Sequence, residues 1–145
     1  MLTTVDQRVE DRLRSEGVRY TPARRSVISA LGRAEGPRSA AELHDDLDRR
    51  IPVSSLYRSL GVLEEAGVVA PHHGARGVTR YELAEWLAGH HHHLVCVDCG
   101  VVEDVTVPKG REVAILELVE TLAERAGFSP LDHVLEIEGR CPRCG

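Results

Sequence analysis

Four cysteines arranged as two CxxC pairs constrain this chain more than any other feature of its sequence. Cys96 and Cys99 form one pair, Cys141 and Cys144 form the other, and 41 residues lie between the inner cysteines. Each pair supplies two sulfurs at the spacing of a zinc knuckle, and four thiolates suit tetrahedral zinc. The sequence therefore predicts a structural Zn²⁺ that ties the C-terminal tail to the middle of the chain. A redox pair or free thiols are the alternative.

Four consecutive histidines, residues 90–93, stand shortly before the first cysteine pair. If this run is extended, its side chains alternate, so that His91 and His93 face one side and His90 and His92 the other. Two imidazole pairs favour two separate sites, and imidazole with carboxylate accommodates zinc, iron(II), manganese or nickel. The carboxylates on neighbouring predicted elements are Glu82, Asp104 and Glu112.

The remaining histidines carry a weaker signal. His133 opens the last predicted strand and has the parity of the apolar residues after it, so it is expected to point with them. A single histidine is more often a solvated or core residue than a ligand. That interpretation applies to His44, His72 and His73.

Charge and composition bound the partners of the chain. The net charge is −5, but residues 1–85 carry 13 Arg against 13 Asp and Glu, whereas residues 86–145 carry 5 Lys and Arg against 10 acidic residues. An anionic partner is therefore expected at the first part. One Trp, one Phe and three Tyr are too few for an aromatic platform that stacks bases.

The sequence predicts a cytoplasmic protein without a membrane segment. No apolar run approaches the roughly 18 residues that a membrane span needs. The N-terminus is acidic and interrupted, unlike a signal peptide. In such a compartment, disulfides explain the cysteines less well than metal does.

Apolar periodicity and turn signals divide residues 1–83 into helices followed by a hairpin. The predicted helices cover residues 5–15, 22 to about 31, 40 to about 50 and 54 to about 66, and the hairpin strands are VVAPHH and VTRYEL around the turn GARG. Thr21-Pro22 and Ser39 are the predicted starts of the second and third helices. The predicted buried stripe of the fourth helix is Leu56, Leu60 and Leu63. The order of helices and hairpin is that of a winged helix-turn-helix domain. A small helical bundle with an added hairpin is the alternative.

Residues 84–90 are interpreted as a hinge, and residues 91–145 as a second domain. The strands HHLVC, VVEDVTV and HVLEIEG surround a predicted helix from about Lys109 to Ala126. A core of this size is too small to stand alone without metal or oligomerisation, so we expect a homodimer. The fold class predicted is α+β, a winged helix with a small α/β dimerisation domain built on an antiparallel sheet.

Several motifs in this order give the chain a family resemblance. RYTPAR (19–24), SAAELH (39–44), SSLYRSL (54–60), the HHHHLVCxxCG block (90–100) and the terminal CPRCG resemble the ferric uptake regulator family of bacterial metalloregulators. The resemblance implies a metal-dependent transcriptional repressor of metal-uptake genes, foremost an iron sensor, with zinc and manganese sensors next. Its operator would be double-stranded DNA with an A/T-rich inverted repeat, because a dimer makes every contact twice.

The resemblance also implies three metal sites, one holding structural Zn²⁺ and the others Fe²⁺, Zn²⁺ or Mn²⁺. The structural site maps to Cys96, Cys99, Cys141 and Cys144. The regulatory site maps to Glu82, His91, His93 and Asp104. The further site in the dimerisation domain maps to His90, His92, Glu112 and His133.

Two positions depart from the family's patterns. Many iron-sensing and peroxide-sensing members supply a histidine where Pro37 stands, and zinc-sensing members often supply an acidic residue or histidine where Ala70 stands. The cysteine of the zinc sensors' hairpin is also missing. His72 is a candidate substitute, and the sensor metal stays open.

The predicted recognition helix is Ser54 to Ala66. Its hydroxyls can meet phosphates at a helix N-terminus, while Tyr57 can touch a thymine methyl and Arg58 a phosphate or a guanine edge. Arg19 resembles the family's basic residue that enters an A/T-rich minor groove. A solvated face is the alternative. The complete set of expected DNA contacts is Arg19, Ser54, Ser55, Tyr57, Arg58, Arg76 and Arg80.

Other functions compete with the metal-dependent repressor. In a peroxide sensor of the same architecture, peroxide reacting at bound Fe(II) would oxidise a ligating histidine. A zinc-dependent enzyme is less expected, because the sequence contains no HExxH motif and no glycine-rich phosphate loop. A structural zinc adaptor would leave the histidine run unexplained.

Overall fold

The computed structural model describes residues 4–145, apart from the side chain of Ala75. The helices are α1 (Thr4–Ser15), α2 (Pro22–Arg33), α3 (Ala40–Asp46), α4 (Val53–Glu65), α5 (Glu85–Ala88) and α6 (Lys109–Arg125). The strands are β1 (Arg38–Ser39), β2 (Val69–His73), β3 (Thr79–Leu83), β4 (His92–Cys96), β5 (Val102–Val105) and β6 (Glu136–Gly139). We call residues 4–88 the helical region and residues 91–145 the second sheet region.

Local capping chemistry begins and ends the helices. The hydroxyl of Thr21 accepts from the backbone N–H of Arg24 at 3.3 Å at the start of α2, as the Thr-Pro pair predicts. Ser39 and Glu42 form a reciprocal capping box on α3. The prediction that this helix runs to about residue 50 is wrong, because Asp48 and Arg49 have φ of 54° and 58° and leave the helical conformation.

The first sheet is antiparallel with the strand order β1-β3-β2. Strands β2 and β3 form the predicted hairpin, in which Ala70 pairs with Glu82 and His72 with Arg80. The two-residue strand β1 was not predicted, because it gains its pairing only when β3 arrives from more than forty positions away in the chain. Three strands behind a helical cluster confirm the winged-helix interpretation.

An aliphatic core fills the helical region. Leu56, Leu60 and Leu63 of α4 are fully buried, as the predicted stripe requires. They pack with apolar side chains of α1, α2, α3 and β2, and the cluster extends to Leu87 of α5. The core therefore positions α4 with its opposite face free.

The second sheet has the order β5-β4-β6 and is mixed. Strand β5 runs antiparallel to β4, whereas β6 runs parallel to β4 with His93 opposite Glu136. The prediction of an antiparallel sheet is therefore wrong in this detail. Helix α6 acts as a crossover between β5 and β6, so that the chain returns in the direction of β4.

The two regions are in contact where the loop between α2 and β1 meets strand β5. The backbone N–H of Asp104 donates to the carbonyl of Glu35 at 3.2 Å. A Cβ added to Gly36 would lie 2.4 Å from the carbonyl oxygen of Val102, so only glycine fits this approach. This contact brings strand β5 and its carboxylates next to the helical region.

Helix α6 lies on the outside of the chain. None of its residues is buried, and Leu118 and Leu122 are 57% and 55% exposed. None of the helices described in residues 4–145 has the length and apolar character needed to cross a membrane.

Candidate functional site

The four cysteines converge at the end of β4. Their sulfurs lie within 4.8 Å of one another, and the Sγ atoms of Cys99 and Cys141 are 3.8 Å apart. The turns that carry them close by hydrogen bonds from Gly100 to the carbonyl of Cys96 and from Gly145 to that of Cys141, each at 2.9 Å. The structure therefore brings together the whole predicted zinc set.

The electrostatics of this cluster suit a cation. Backbone N–H groups of Cys99 and Cys141 donate to the sulfur of Cys96 at 3.5 and 3.4 Å, and they lower the pKa of Cys96 to about 6. The hydrogen bond with Cys141, followed by burial, raises the pKa of Cys144 to about 12. Four sulfurs this close cannot all ionise without a positive charge among them, and Zn²⁺ supplies that charge in tetrahedral geometry.

The first histidine cluster consists of Glu82, His91, His93 and Asp104, whose ligand atoms lie within 4.8 Å of one another. The Nε2 atoms of His91 and His93 lie 2.8 and 3.1 Å from the oxygens of Glu82. They lie 3.5 and 3.4 Å from Oδ1 of Asp104. Glu82 comes from β3 of the wing, whereas the other three come from the second sheet region. The cluster thus spans the two regions.

Contacts among the side chains of the first histidine cluster shift the pKa values of Glu82 and His93. Hydrogen bonds to Asp104 and Glu82 raise the pKa of His93 to about 9. Burial disfavours the charged form of Glu82, but hydrogen bonds from His93 and His91 outweigh it and lower the pKa of that carboxyl. Two imidazoles and two carboxylates around one point are a donor set for Fe(II), Mn(II) or Zn(II).

The second histidine cluster consists of His90, His92, Glu112 and His133. The Nε2 atoms of His90 and His92 each lie 2.9 Å from an oxygen of Glu112, and His92 is only 2% exposed. The Nε2 of His133 lies 3.3 Å from Oε1 of Glu112, yet it forms no hydrogen bond with any residue among 4–145. A buried imidazole nitrogen directed at a carboxylate without a hydrogen bond suits a shared cation.

The alternation predicted for the histidine run is present. The rings of His90 and His92 contact each other at 4.7 Å, and those of His91 and His93 at 5.0 Å, in different clusters. The structure assembles all eight residues of the two predicted sets into the two predicted groups. Glu112, from the first turn of α6, reaches all three histidines of its group.

Sequence reasoning missed two contacts at these clusters. The pattern favours a solvated or core side chain for His72, with a ligand role only as a candidate substitute. In the structure its side chain is 12% exposed, with Nε2 3.0 Å from Glu136 and its ring 4.7 Å from that of His93. Its parity with Ala70, which faces Glu82 in the hairpin, was a signal that could have found it. Glu85 of α5 contacts Nδ1 of His90 at 2.5 Å, and no sequence pattern indicated that contact.

The residues expected to contact DNA on α4 lie on its free face. Tyr57 is 56% exposed, and Ser54 and Arg58 are also exposed, while Ser55 is half-buried. No side chain within residues 4–145 caps the start of α4, so its first N–H groups are open to an anion. Arg19 is exposed just before α2.

The wing arginines differ from each other. Arg80 is 8% exposed, and its Nε lies 3.3 Å from Oε1 of Glu42 on α3. The expectation that it contacts the DNA backbone is therefore wrong, because its position in β3 directs it at α3. Arg76 is exposed, and its guanidinium donates to the backbone carbonyl of Asp98.

The chain is similar to known proteins of one family along most of its length. Residues 15–138 match the model of the Ferric uptake regulator family. The chain is 35% identical over 143 residues to the ferric uptake regulation protein of Bacillus subtilis, covering 94% of this chain and 92% of that protein.

Solved structures that share the fold include two that are more than 25% identical in sequence. The ferric uptake regulator of Vibrio cholerae has a TM-score of 0.74 at 28% identity, covering 91% of this chain and 98% of that one. A zinc-bound manganese uptake regulator has a TM-score of 0.70 at 31% identity, covering 92% of this chain and 98% of that one. The chain belongs to the Ferric uptake regulator family.

Proposed function

We propose that this protein is a metal-dependent repressor that binds operator DNA when a divalent cation occupies the first histidine cluster. The observation that carries the proposal is that the ligands come from both regions of the chain. Glu82 lies on the wing strand β3, whereas His91, His93 and Asp104 lie in the second sheet region. A cation held by all four residues would fix the two regions relative to each other.

Fixing the two regions matters because DNA binding would depend on their relative position. In this proposal residues 1–83 bind DNA, residues 84–90 form a hinge and residues 91–145 form the dimer. The exposed apolar side of α6, with Leu118 and Leu122, provides a surface for a second copy. Two α4 helices at a spacing set by metal would then match the two halves of an inverted repeat.

Helix α4 is the proposed reading element. Its uncapped N-terminus and Ser54 would receive a phosphate, and Tyr57 and Arg58 would reach bases in the major groove. Arg19 would enter the adjacent minor groove where A/T-rich sequence narrows it. Arg76 would contact the backbone from the wing.

Iron(II) is the proposed signal, with manganese(II) and zinc(II) as the other candidates. The 35% identical relative from Bacillus subtilis is a ferric uptake regulation protein, and a 31% identical one is a manganese uptake regulator with zinc bound. The two imidazoles and two carboxylates of the first histidine cluster accommodate all three metals. The cysteine cluster would hold Zn²⁺ permanently, because its four thiolates leave no open position.

The test is DNA binding by protein that has been washed with a mild chelator and retains its thiolate zinc. The protein is titrated anaerobically with Fe(II), Mn(II) or Zn(II) against a duplex from its own upstream region. We expect one metal to tighten binding at least tenfold, because the metal removes the cost of aligning two binding domains. Identical binding with and without every metal would overturn the proposal.

Two substitutions in α4 test whether this helix contacts the DNA bases. Arg58→Ala should weaken specific binding by about 1–3 kcal/mol if the guanidinium contacts a base edge. Tyr57→Phe keeps the ring and should change affinity little, which makes it the matched control. Unchanged affinity of Arg58→Ala would exclude α4 as the reader.

Peroxide sensing is a second candidate, supported by the two imidazoles at the same cluster. With Fe(II) bound there, peroxide would transfer one oxygen atom to a ring carbon of a ligating histidine and release its other oxygen as water. Mass spectrometry after peroxide treatment would then show a gain of one oxygen on His91 or His93. An unmodified peptide after peroxide treatment of the iron-loaded protein excludes this candidate.

A further inference from the structure

We propose that Glu85 positions His90 of the second histidine cluster, so that metal at this cluster also acts on the helical region through α5. The inference rests on the proposed function and adds a second connection between metal and the DNA-binding side. Each histidine cluster would then use one carboxylate from residues 4–88, Glu82 for the first and Glu85 for the second.

His90 lies between two carboxylates. Its Nδ1 is 2.5 Å from Oε1 of Glu85, and its Nε2 is 2.9 Å from Oε1 of Glu112. Since Glu112 belongs to the ligand group of the second histidine cluster, Nε2 is the nitrogen that faces the cation position. Nδ1 faces away from that position and contacts α5.

This arrangement is the one in which a carboxylate orients a metal-binding histidine. When Nε2 binds a cation, Nδ1 must carry the proton and needs an acceptor. A carboxylate acceptor holds that tautomer, fixes the ring and makes Nε2 a stronger donor to the metal. Glu85 supplies the acceptor, and its side chain is otherwise 52% exposed.

Helix α5 transmits this restraint because it is anchored to the helical region on its other side. Nε1 of Trp86 donates at 2.8 Å to the carbonyl of Gly67, two residues after the end of α4. The guanidinium carbons of Arg12 and Arg8 lie 4.2 and 5.2 Å from the centre of the Trp86 ring. Leu87 belongs to the aliphatic core. Ordering Glu85 therefore orders a segment that contacts both α1 and the end of α4.

The experiment uses the full chain with its thiolate zinc and a His93→Ala background, which removes a ligand of the first histidine cluster. Zn(II) binding is followed by calorimetry and by the emission of Trp86, the only tryptophan of the chain. We expect one Zn(II) ion to bind per chain and to change the emission of Trp86. Adding Glu85→Gln should weaken binding tenfold or more, in the range of about 10–100-fold that such partners contribute, and should remove the emission change at saturation.

Matched variants give the outcomes their meaning. Glu117→Gln removes an exposed carboxylate of α6 outside the ligand groups and should leave affinity and emission unchanged. Glu85→Asp keeps the charge and should restore part of both. Equal affinity and an equal emission change in Glu85→Gln would overturn the proposal, as would weaker binding with an unchanged emission change at saturation. No DNA is present, so loss of metal-dependent operator binding, which would overturn the proposed function, is measured separately.

Discussion

The two regions of this protein are stabilised in different ways. The largest fully buried side chains all belong to the helical region, including Leu13, Leu43 and Leu60. The second sheet region buries Val95, Cys96 and Val102 together with two histidines, and none of the residues of α6 is buried. The comparison indicates that the first region folds on aliphatic packing, whereas the second has only a small apolar core of its own.

The largest expected effect is loss of the thiolate zinc. Cys96→Ser should release the ion and unfold the second sheet region, because structural Zn²⁺ contributes about 10–16 kcal/mol in small zinc-dependent domains. The helical region should keep its structure. Metal analysis and limited proteolysis would show a stable fragment that contains α1–α4.

Asp98→Asn is the matched control for this prediction. It changes an exposed residue between the two cysteines of the first pair without removing a sulfur. This variant should retain zinc and resist proteolysis like the original protein. A fully protected second sheet region in Cys96→Ser would contradict the comparison.

The next effect is a cavity in the helical core. Leu60 is 0% exposed, so Leu60→Ala should lower the free energy of unfolding by about 2–5 kcal/mol. The loss should be independent of protein concentration, because the core is complete within one chain. Urea unfolding at two protein concentrations measures both points, and a strong concentration dependence of the loss would argue against a self-sufficient core.

A smaller effect concerns the charge of Glu42, which faces Arg38 and Arg80. Burial opposes its ionisation, but hydrogen bonds from Ser39 and the two arginines outweigh it and lower the pKa of Glu42 below its ordinary value of 4.5. Glu42→Gln keeps the cap but removes the charge and should cost about 1 kcal/mol near pH 7.

The pH dependence of this difference has a definite sign. A carboxyl whose pKa is lowered by folding contributes stability above its unfolded pKa and loses it as the pH falls through the folded value. The gap between the original protein and Glu42→Gln should therefore shrink below about pH 4.5. Thermal unfolding from pH 7 to pH 3 tests this, and a gap that is constant over the range would show that the charge is not involved.

The smallest effect on the isolated chain is expected on α6. Leu122→Ala removes the same atoms as Leu60→Ala but from a side chain that is 55% exposed. At low protein concentration the free energy of unfolding should change by less than about 0.5 kcal/mol. At high concentration the variant should dissociate more readily, as sedimentation would show. An equal loss at every concentration would mean that α6 packs within one chain.

The predicted parts of the fold rest on signals that lie close together in the chain. The Thr21-Pro22 cap, the Ser39 cap and the apolar stripe of α4 each act within a few residues, and each is found in the structure. The division of the four histidines into two pairs was also predictable, since strand alternation separates them without knowledge of the tertiary fold. The carboxylates and His133 that complete each group were predicted through the family resemblance. The sheet that carries them was predicted to be antiparallel, and its β6 edge is parallel.

Arg80 and His72 show why other features escaped prediction. An arginine on a wing strand resembles a DNA contact until α3 is known to pack beside it and present Glu42. A histidine on an exposed hairpin resembles a solvated side chain until β6 places Glu136 beside it. In both residues, the burial and the charge partner come from elements 38 and 64 positions away.

The sequence by itself determined the ligand types, their pairing and the family, because cysteine spacing, strand parity and capping are local properties of a chain. The carboxylates that join each histidine pair were predicted only through the family resemblance, and only the tertiary structure decided how β6 runs and where the arginines point. Those outcomes depend on elements that lie far apart in the chain. Such elements come together only in the folded protein, because closing long loops costs chain entropy. The contact of Glu85 with His90 belongs to this second group, since α5 turns the carboxylate toward a ring that lies beyond the end of its own helix.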